Sequence, residues 1–212
     1  MLHFSKFQKT YGAITILKID DLIIQPGIYW VKGANGSGKT TFLKIVAGIL
    51  HFEGDIKLKT QQISIKKQPI VYRKLVNFAE AEPIFPEFLT GRELIDLFIS
   101  AKGGTPGQAN FYIDSMKMHD YIDASISTYS SGMIKKLSIV LAFMGNPLKI
   151  LLDEPLITLD TQSLHILHSW IIEKNKRDGT SFLISSHQAL EISSAVTVRE
   201  LLIASQTVHL LS

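Results

Sequence analysis

Apolar side chains recur at every second position through the first part of the chain. Ile14 and Ile16, Leu22 and Ile24, Ile56 and Leu58, and Ile63 and Ile65 sit two apart among polar neighbours. That is the period of half-buried strands, and it predicts an antiparallel portion early in the chain. From Thr90 to about Met144 the chain reads as mainly helical. Thr90 followed by Glu93 is a capping box at a helix start, and Leu94, Ile95, Leu97 and Phe98 give that helix an apolar face. Gly103 to Gly107 reads as a loop. The last third alternates strand and helix. Ile150-Leu151-Leu152 and Phe182-Leu183-Ile184 are continuous apolar runs, as parallel strands covered on both faces require. Between them Leu164, Leu167, Trp170 and Ile171 form a helical stripe. It ends on Lys174, Lys176 and Arg177, with Gly179 as its C-cap. The pattern predicts an α/β fold with a helical insertion.

Composition narrows the classes. At 212 residues, 46% hydrophobic and 19% charged, the chain suits one domain with a real core. It has no Cys, which excludes disulfides, Cys-ligated zinc and iron–sulfur clusters and suits the reducing cytoplasm. No apolar stretch approaches the ~20 residues of a membrane span. Met1 to Lys6 lacks a signal-peptide layout, so neither membrane insertion nor export by that route is expected. A net charge of +3 does not point to nucleic acid. The local cluster Lys57, Lys59, Lys66, Lys67, Arg73 and Lys74 reads as solvated edge strands guarded by Lys.

The chemistry begins at Gly33-Ala34-Asn35-Gly36-Ser37-Gly38-Lys39-Thr40, which fits G-x-x-x-x-G-K-[ST] without a mismatch. Ile28 to Val31 supplies the strand before it, and Thr41 to Ala47 the helix after it. Such a loop cradles phosphates with backbone amides and a helix N-terminus. Lys39 reaches the β- and γ-phosphates and the Thr40 hydroxyl ligates magnesium. Asp153 and Glu154 directly follow the strand Ile150–Leu152, at the end of an open parallel sheet where ligands sit. Asp153 suits magnesium, and Glu154 suits polarising the water that attacks the γ-phosphate. His187, after Phe182 to Ser186, suits holding a γ-phosphate oxygen and that water. His165 and His168 lack a third ligand and read as solvated helix residues.

These residues together resemble the ATP-binding cassette (ABC) ATPases, the motor subunits of ABC transporters. Tyr129-Ser130-Ser131-Gly132-Met133 resembles the family's signature segment, matching it at Ser130 and Gly132, 21 residues before Asp153. Tyr11 resembles the aromatic that stacks on adenine, Asp160 the D-loop aspartate that links two halves of a dimer, and His187 the switch histidine. One departure stands out. Asn77 to Pro83 contains no Gln where the family usually carries one near magnesium. Glu80 or Glu82 is the stand-in, with Glu82 preferred, although an ungapped alignment puts Ala81 there.

The resemblance implies one ABC ATPase domain of P-loop NTPase type over residues 1–212. It has a RecA-like core, an antiparallel β lobe and a helical lobe inserted at about 84–145. It implies ATP and Mg²⁺, with phosphate-loop contacts from Gly33, Asn35, Gly36, Ser37, Gly38, Lys39, Thr40 and Thr41. Each ATP would lie between Lys39 of one subunit and Ser130 of a second, identical or different, ATPase subunit. With no spanning helix, the implied coupling partner is a transmembrane permease subunit, holding this chain at the inner face of the cell membrane. Pro83 to Leu89 is the expected docking loop. The signature variant leans to export. The alternative is a soluble cassette in translation or DNA repair; a compact single cassette favours transport. Retained Glu154 and His187 argue against a binding module that no longer hydrolyses. No regulatory extension is expected after His187.

Overall fold

A computed structural model describes residues 1–187, 192 and 196–211. Two sheets organise it. The first has the order β2-β1-β4-β5 and is antiparallel, from β1 (Leu2–Tyr11), β2 (Ile14–Ile24), β4 (Glu53–Leu58) and β5 (Ile63–Ser64). The second has the order β10-β9-β3-β8-β7-β6. It comprises β3 (Ile28–Lys32), β6 (Val76–Ala79), β7 (Lys149–Asp153), β8 (Ser181–Ser185), β9 (Val198–Ala204) and β10 (Thr207–Leu211). All its pairings are parallel except β9 with β10.

One helix joins the two sheets. α1 (Lys39–Val46) buries Phe42, Leu43, Ile45 and Val46 completely. They pack in one cluster with Phe4, Leu17 and Ile56 of the first sheet and Tyr29, Leu151 and Leu183 of the second. The opposite face of the second sheet turns Ile28, Ile150, Leu152, Phe182 and Ile184 toward the remaining helices. Strand β7 therefore alternates Ile150 and Leu152 to one layer with Leu151 to the other, as a strand covered on both faces must. Four of these helices are α3 (Gly91–Lys102), α4 (Asn110–Ser115), α5 (Ser131–Ala142) and α6 (Thr161–Asp178); the first three make the predicted helical insertion. The Thr90–Glu93 capping box and the Gly179 C-cap form as expected.

Three expectations need correction. In β2 the buried face is Leu17, Ile19 and Ile24, and Ile14 is 66% exposed. The inward parity switches in β1 at Lys6, whose φ of 48° lets both Phe4 and Phe7 turn inward. In α3, Leu94 and Ile95 are buried and Phe98 packs against the core, but Leu97 lies off that face and is 58% exposed. Of the basic cluster, Arg73 and Lys74 lie on a helix, α2 (Pro69–Leu75), not on an edge strand. Pro69 at its start and Tyr72 buried beneath it fix this short helix; a stretch of seven residues gives too little periodicity to announce it. The β9–β10 hairpin, after His187, was likewise not anticipated.

Asn77 ties the second sheet to the insertion. Its buried Nδ2 donates to the carbonyls of Ala142 and Met144, both at 2.8 Å, at the end of α5. Asn77→Ala strands two buried carbonyls and should cost about 2–3 kcal/mol in urea unfolding. Leu97→Ser should stay within about 0.5 kcal/mol, since that side chain already faces water.

Candidate functional site

The phosphate loop connects β3 to α1, and its glycines are required by geometry. At Gly33 (φ 155°) a Cβ would lie 2.4 Å from Ser37 Oγ and 2.7 Å from the Ile203 carbonyl. Gly38 caps α1 in the left-handed region at φ 103°. Because α1 is clamped between two sheets, its N-terminal amides and its positive end are held at one spot. Lys39 is buried, and its Nζ donates to the carbonyls of Gly33 (2.9 Å) and Ala34 (3.3 Å). That contact holds the ammonium over the loop.

Three neighbouring strand ends meet this loop, because β3, β8 and β7 are adjacent and parallel. Asp153 and Glu154 emerge from β7. Ser185 of β8 organises both: its hydroxyl donates to Asp153 Oδ1 (2.6 Å) and accepts from the Glu154 amide (2.9 Å). Glu154 holds a left-handed backbone at φ 44°. His187 follows β8, with Nε2 3.4 Å from Glu154 Oε1. Trp30 of β3 anchors that segment by donating from Nε1 to the Ser186 carbonyl (2.9 Å). A cleft of about 430 Å³ is lined by Asn35, Gly36, Lys39, Thr40, Thr41, Glu154, His187 and Ile16.

The donor set fits a magnesium–triphosphate. Ser37 Oγ, Asp153 Oδ2 and Glu154 Oε1 are buried with no hydrogen bond, an expensive condition unless a ligand answers it. A hydroxyl and a carboxylate are the oxygen ligands a hard cation takes alongside phosphate. Among the described residues no cluster of three or more His, Asp or Glu could hold a metal ion.

The other sequence candidates lie apart from this cleft. Tyr11 is half exposed, paired in register with Ile14, and Lys9 Nζ sits 4.4 Å from its ring centre. Ile16, two residues beyond Ile14 on the same strand, lines the phosphate cleft. Ser130 caps α5 by accepting from the Met133 amide (3.3 Å) and is exposed. Gly132 packs against the loop before α6, where a Cβ would stand 3.3 Å from the Thr158 carbonyl. Thr158 itself holds φ 69°. Asp160 caps α6, accepting from the Ser163 amide and hydroxyl, and pairs with Lys136 of α5 at 3.0 Å. The Ser163 amide, then Lys136, hold its carboxyl well below the usual carboxylate range. Of the two stand-ins for the absent Gln, Glu80 is paired with Lys44 (2.9 Å), and Glu82 is exposed and outside the cleft lining.

Sequence reasoning missed Lys135. It is 2% exposed on α5, and its Nζ donates to the carbonyls of Glu80 (2.9 Å), Ala81 (3.0 Å) and Asp153 (3.1 Å). Burial pushes its pKa down to about 8, against the upward pull of Asp153, Glu154 and Glu82. One ammonium thus ties the helical insertion, the Glu80–Glu82 loop and the acidic strand end. A Lys two residues after Met133 gave no hint of this, because helical periodicity alone does not separate a buried cation from a solvated one.

The loop Pro83 to Leu89 divides. Phe85 and Leu89 pack into the core, while Ile84 (95%) and Phe88 (83%) face solvent. Beside it a groove of about 280 Å³ separates the insertion from the second sheet, with Ile49, Phe85, Phe98 and Leu141 in its walls. No helix among the described residues is long and apolar enough to cross a membrane.

Comparison with known proteins agrees with this architecture. Residues 18–157 match the family model described as ABC transporter. The cytochrome c biogenesis ATP-binding export protein CcmA of Legionella pneumophila is 34% identical over 80% of this chain and 83% of its own. The bacitracin transport ATP-binding protein BcrA of Enterococcus faecalis is 30% identical over 90% of this chain and 62% of its own. A solved structure of an ATP-binding subunit of an ABC transporter superposes with a TM-score of 0.87 at 21% identity, covering 100% of this chain and 90% of that one. A dimeric post-hydrolysis ATP-binding cassette with ADP and Pi gives a TM-score of 0.81 at 22% identity, covering 99% of this chain and 97% of that one. A P-loop facing an acidic strand end, inside this two-sheet frame, is the nucleotide-hydrolysing apparatus of one family, and the chain belongs to it: it is an ABC transporter ATP-binding protein, an ATP hydrolase.

Proposed function

We propose that this chain powers export as one of two ATPase subunits docked on a separate membrane permease. The observation that carries the reading is the single cleft lined by Lys39, Thr40, Glu154 and His187, with unanswered carboxylate oxygens at its end. The names of the export and transport relatives support the direction. They also weigh against a soluble cassette in translation or DNA repair.

The geometry supports a role for each residue. The amides of Gly36 to Thr41 and the end of α1 bind the phosphates, and Lys39 swings from its two carbonyls to the β- and γ-oxygens. Thr40 and Asp153 would hold magnesium, which when bound neutralises charge on the transferred phosphoryl group. Ser185 orients Asp153 through Oδ1 and leaves Oδ2 free for that ligation. Glu154 accepts a proton from the attacking water at Oε1, and His187 steadies the γ-phosphate beside it. Tyr11, with Ile14 and Ile16, supplies the adenine platform. Ser130, exposed at the cap of α5, and the half-buried Gly132 in its first turn stand ready to meet the triphosphate held by the second subunit. Asp160 fixes the loop between them and the acidic pair. Glu82 is assigned no ligand role by this arrangement; Lys135 carries the link from its loop to Asp153. The groove between insertion and sheet is the docking site for the permease.

Lys39→Ala should weaken MgATP binding at least about tenfold by calorimetry, and unchanged affinity would contradict the phosphate contact. Glu154→Gln should keep binding, lower kcat by about 10² or more, and accumulate an ATP-bound dimer in size-exclusion chromatography; near-normal turnover removes Glu154 from catalysis. Lys135→Met should lower kcat about tenfold with KM changed less than about threefold, and Lys135→Arg should recover most of it. A matched rise in KM would instead make Lys135 part of nucleotide binding.

A further inference from the structure

The sequence between Asp55 and Glu80 holds six basic residues and no acidic one, whereas the rest of the chain carries a net acidic excess. The structure gathers much of this charge on one surface. Lys66, Lys67, Gln68, Pro69, Arg73 and Lys74 are all exposed around α2, and so are Ile70 (69%) and Val71 (44%). The helix is not loose. Tyr72 is fully buried beneath it and donates to the Val46 carbonyl at 2.9 Å, while Ile65 is buried just before it. Its apolar pair therefore points outward because the opposite face is the one anchored.

Among the described residues, Lys66, Lys67, Arg73 and Lys74 pair with no carboxylate. Arg73 reaches the Gly48 carbonyl at 3.3 Å, and Lys66 lies 5.1 Å from the centre of the Phe52 ring. These two cations flank a cleft of about 390 Å³ whose walls include Phe52, Ile65 and Pro69. Cations over an apolar floor, beside two exposed aliphatic side chains, is the chemistry of an interfacial element: charge meets headgroups while the aliphatic tips enter the acyl boundary.

We propose that this face, Lys66 to Lys74, is a docking surface for anionic phospholipid headgroups, with Ile70 and Val71 entering the interface. The proposal rests on the transporter reading for its orientation. Arg73 and Val76 line the groove assigned to the permease, so α2 borders that groove and faces the same leaflet. An acidic helix of a partner protein would also meet the cations, and the test separates it from lipid.

The full chain is floated with vesicles of phosphatidylcholine alone and with about 30 mol% phosphatidylglycerol, at about 0.1 M salt. Binding should be at least about tenfold tighter to the anionic vesicles and should weaken with salt. Each surface Lys strengthens such binding about fivefold, so Lys66→Glu, Lys67→Glu and Lys74→Glu together should weaken it about a hundredfold or more. Ile70→Ser with Val71→Ser should weaken it about tenfold, with melting temperature and MgATP affinity unchanged in both variants. Equal binding to both vesicles, indifference to the charge reversals, or displacement by an acidic peptide at concentrations that leave the salt dependence untouched would each overturn the proposal. Retained hydrolysis with no vesicle binding would remove the lipid surface alone. Lost hydrolysis with vesicle binding intact would instead strike the catalytic reading.

Discussion

Everything at the nucleotide cleft depends on the burial of α1 between two sheets. Phe42, Leu43, Ile45 and Val46 leave no solvent-accessible surface, and their cluster draws on strands of both sheets. Four such side chains contribute several kcal/mol of apolar burial, on the order of 1.5–3 kcal/mol each. An eight-residue helix would not persist in isolation. Packing thus pre-orders the helix whose N-terminus binds phosphate, and the ordering entropy is met by folding before a ligand arrives.

The same logic runs through the acidic end. Asp153 and Glu154 are adjacent buried carboxylates at the end of one strand. A neutral hydroxyl, that of Ser185, orients one side chain and the other's backbone, leaving one oxygen of each open. Behind them, Lys135 brings a positive charge close enough to act electrostatically but spends its hydrogen bonds on carbonyls. The carboxylates therefore feel the cation without being capped by it. The Lys136–Asp160 pair repeats the theme one residue on, tying α5 to the start of α6. Two successive lysines on one helix turn serve opposite flanks of the acidic strand end.

What could be read from the sequence follows the range of the forces involved. The phosphate loop, its flanking strand and helix, the acidic pair and the two runs of β7 and β8 declare themselves locally, because backbone geometry or continuous burial dictates each. Leu97 and Ile14 misled because parity and helical face depend on where a bulge or a neighbouring layer falls. Lys135 and Ser185 were invisible for a different reason. Their partners lie 18 to 55 and 31 to 32 positions away, and only the parallel sheet brings them together. The absent Gln shows the limit from the other side: counting residues could choose between Glu80 and Glu82, but the Lys44–Glu80 pair is a matter of space.

The contact between Gly132 and the Thr158 carbonyl bears on how mutational scans of this chain are to be interpreted. A methyl group at position 132 would press against backbone at 3.3 Å, and that backbone belongs to a β-branched residue already held at φ 69°. Intolerance of substitution at 132 therefore has a source inside one protomer, independent of any triphosphate. A saturation library scored on growth would merge the two causes. Crossing it with glycine at 158, which relaxes the neighbour, separates steric demand within the subunit from recognition across the pair.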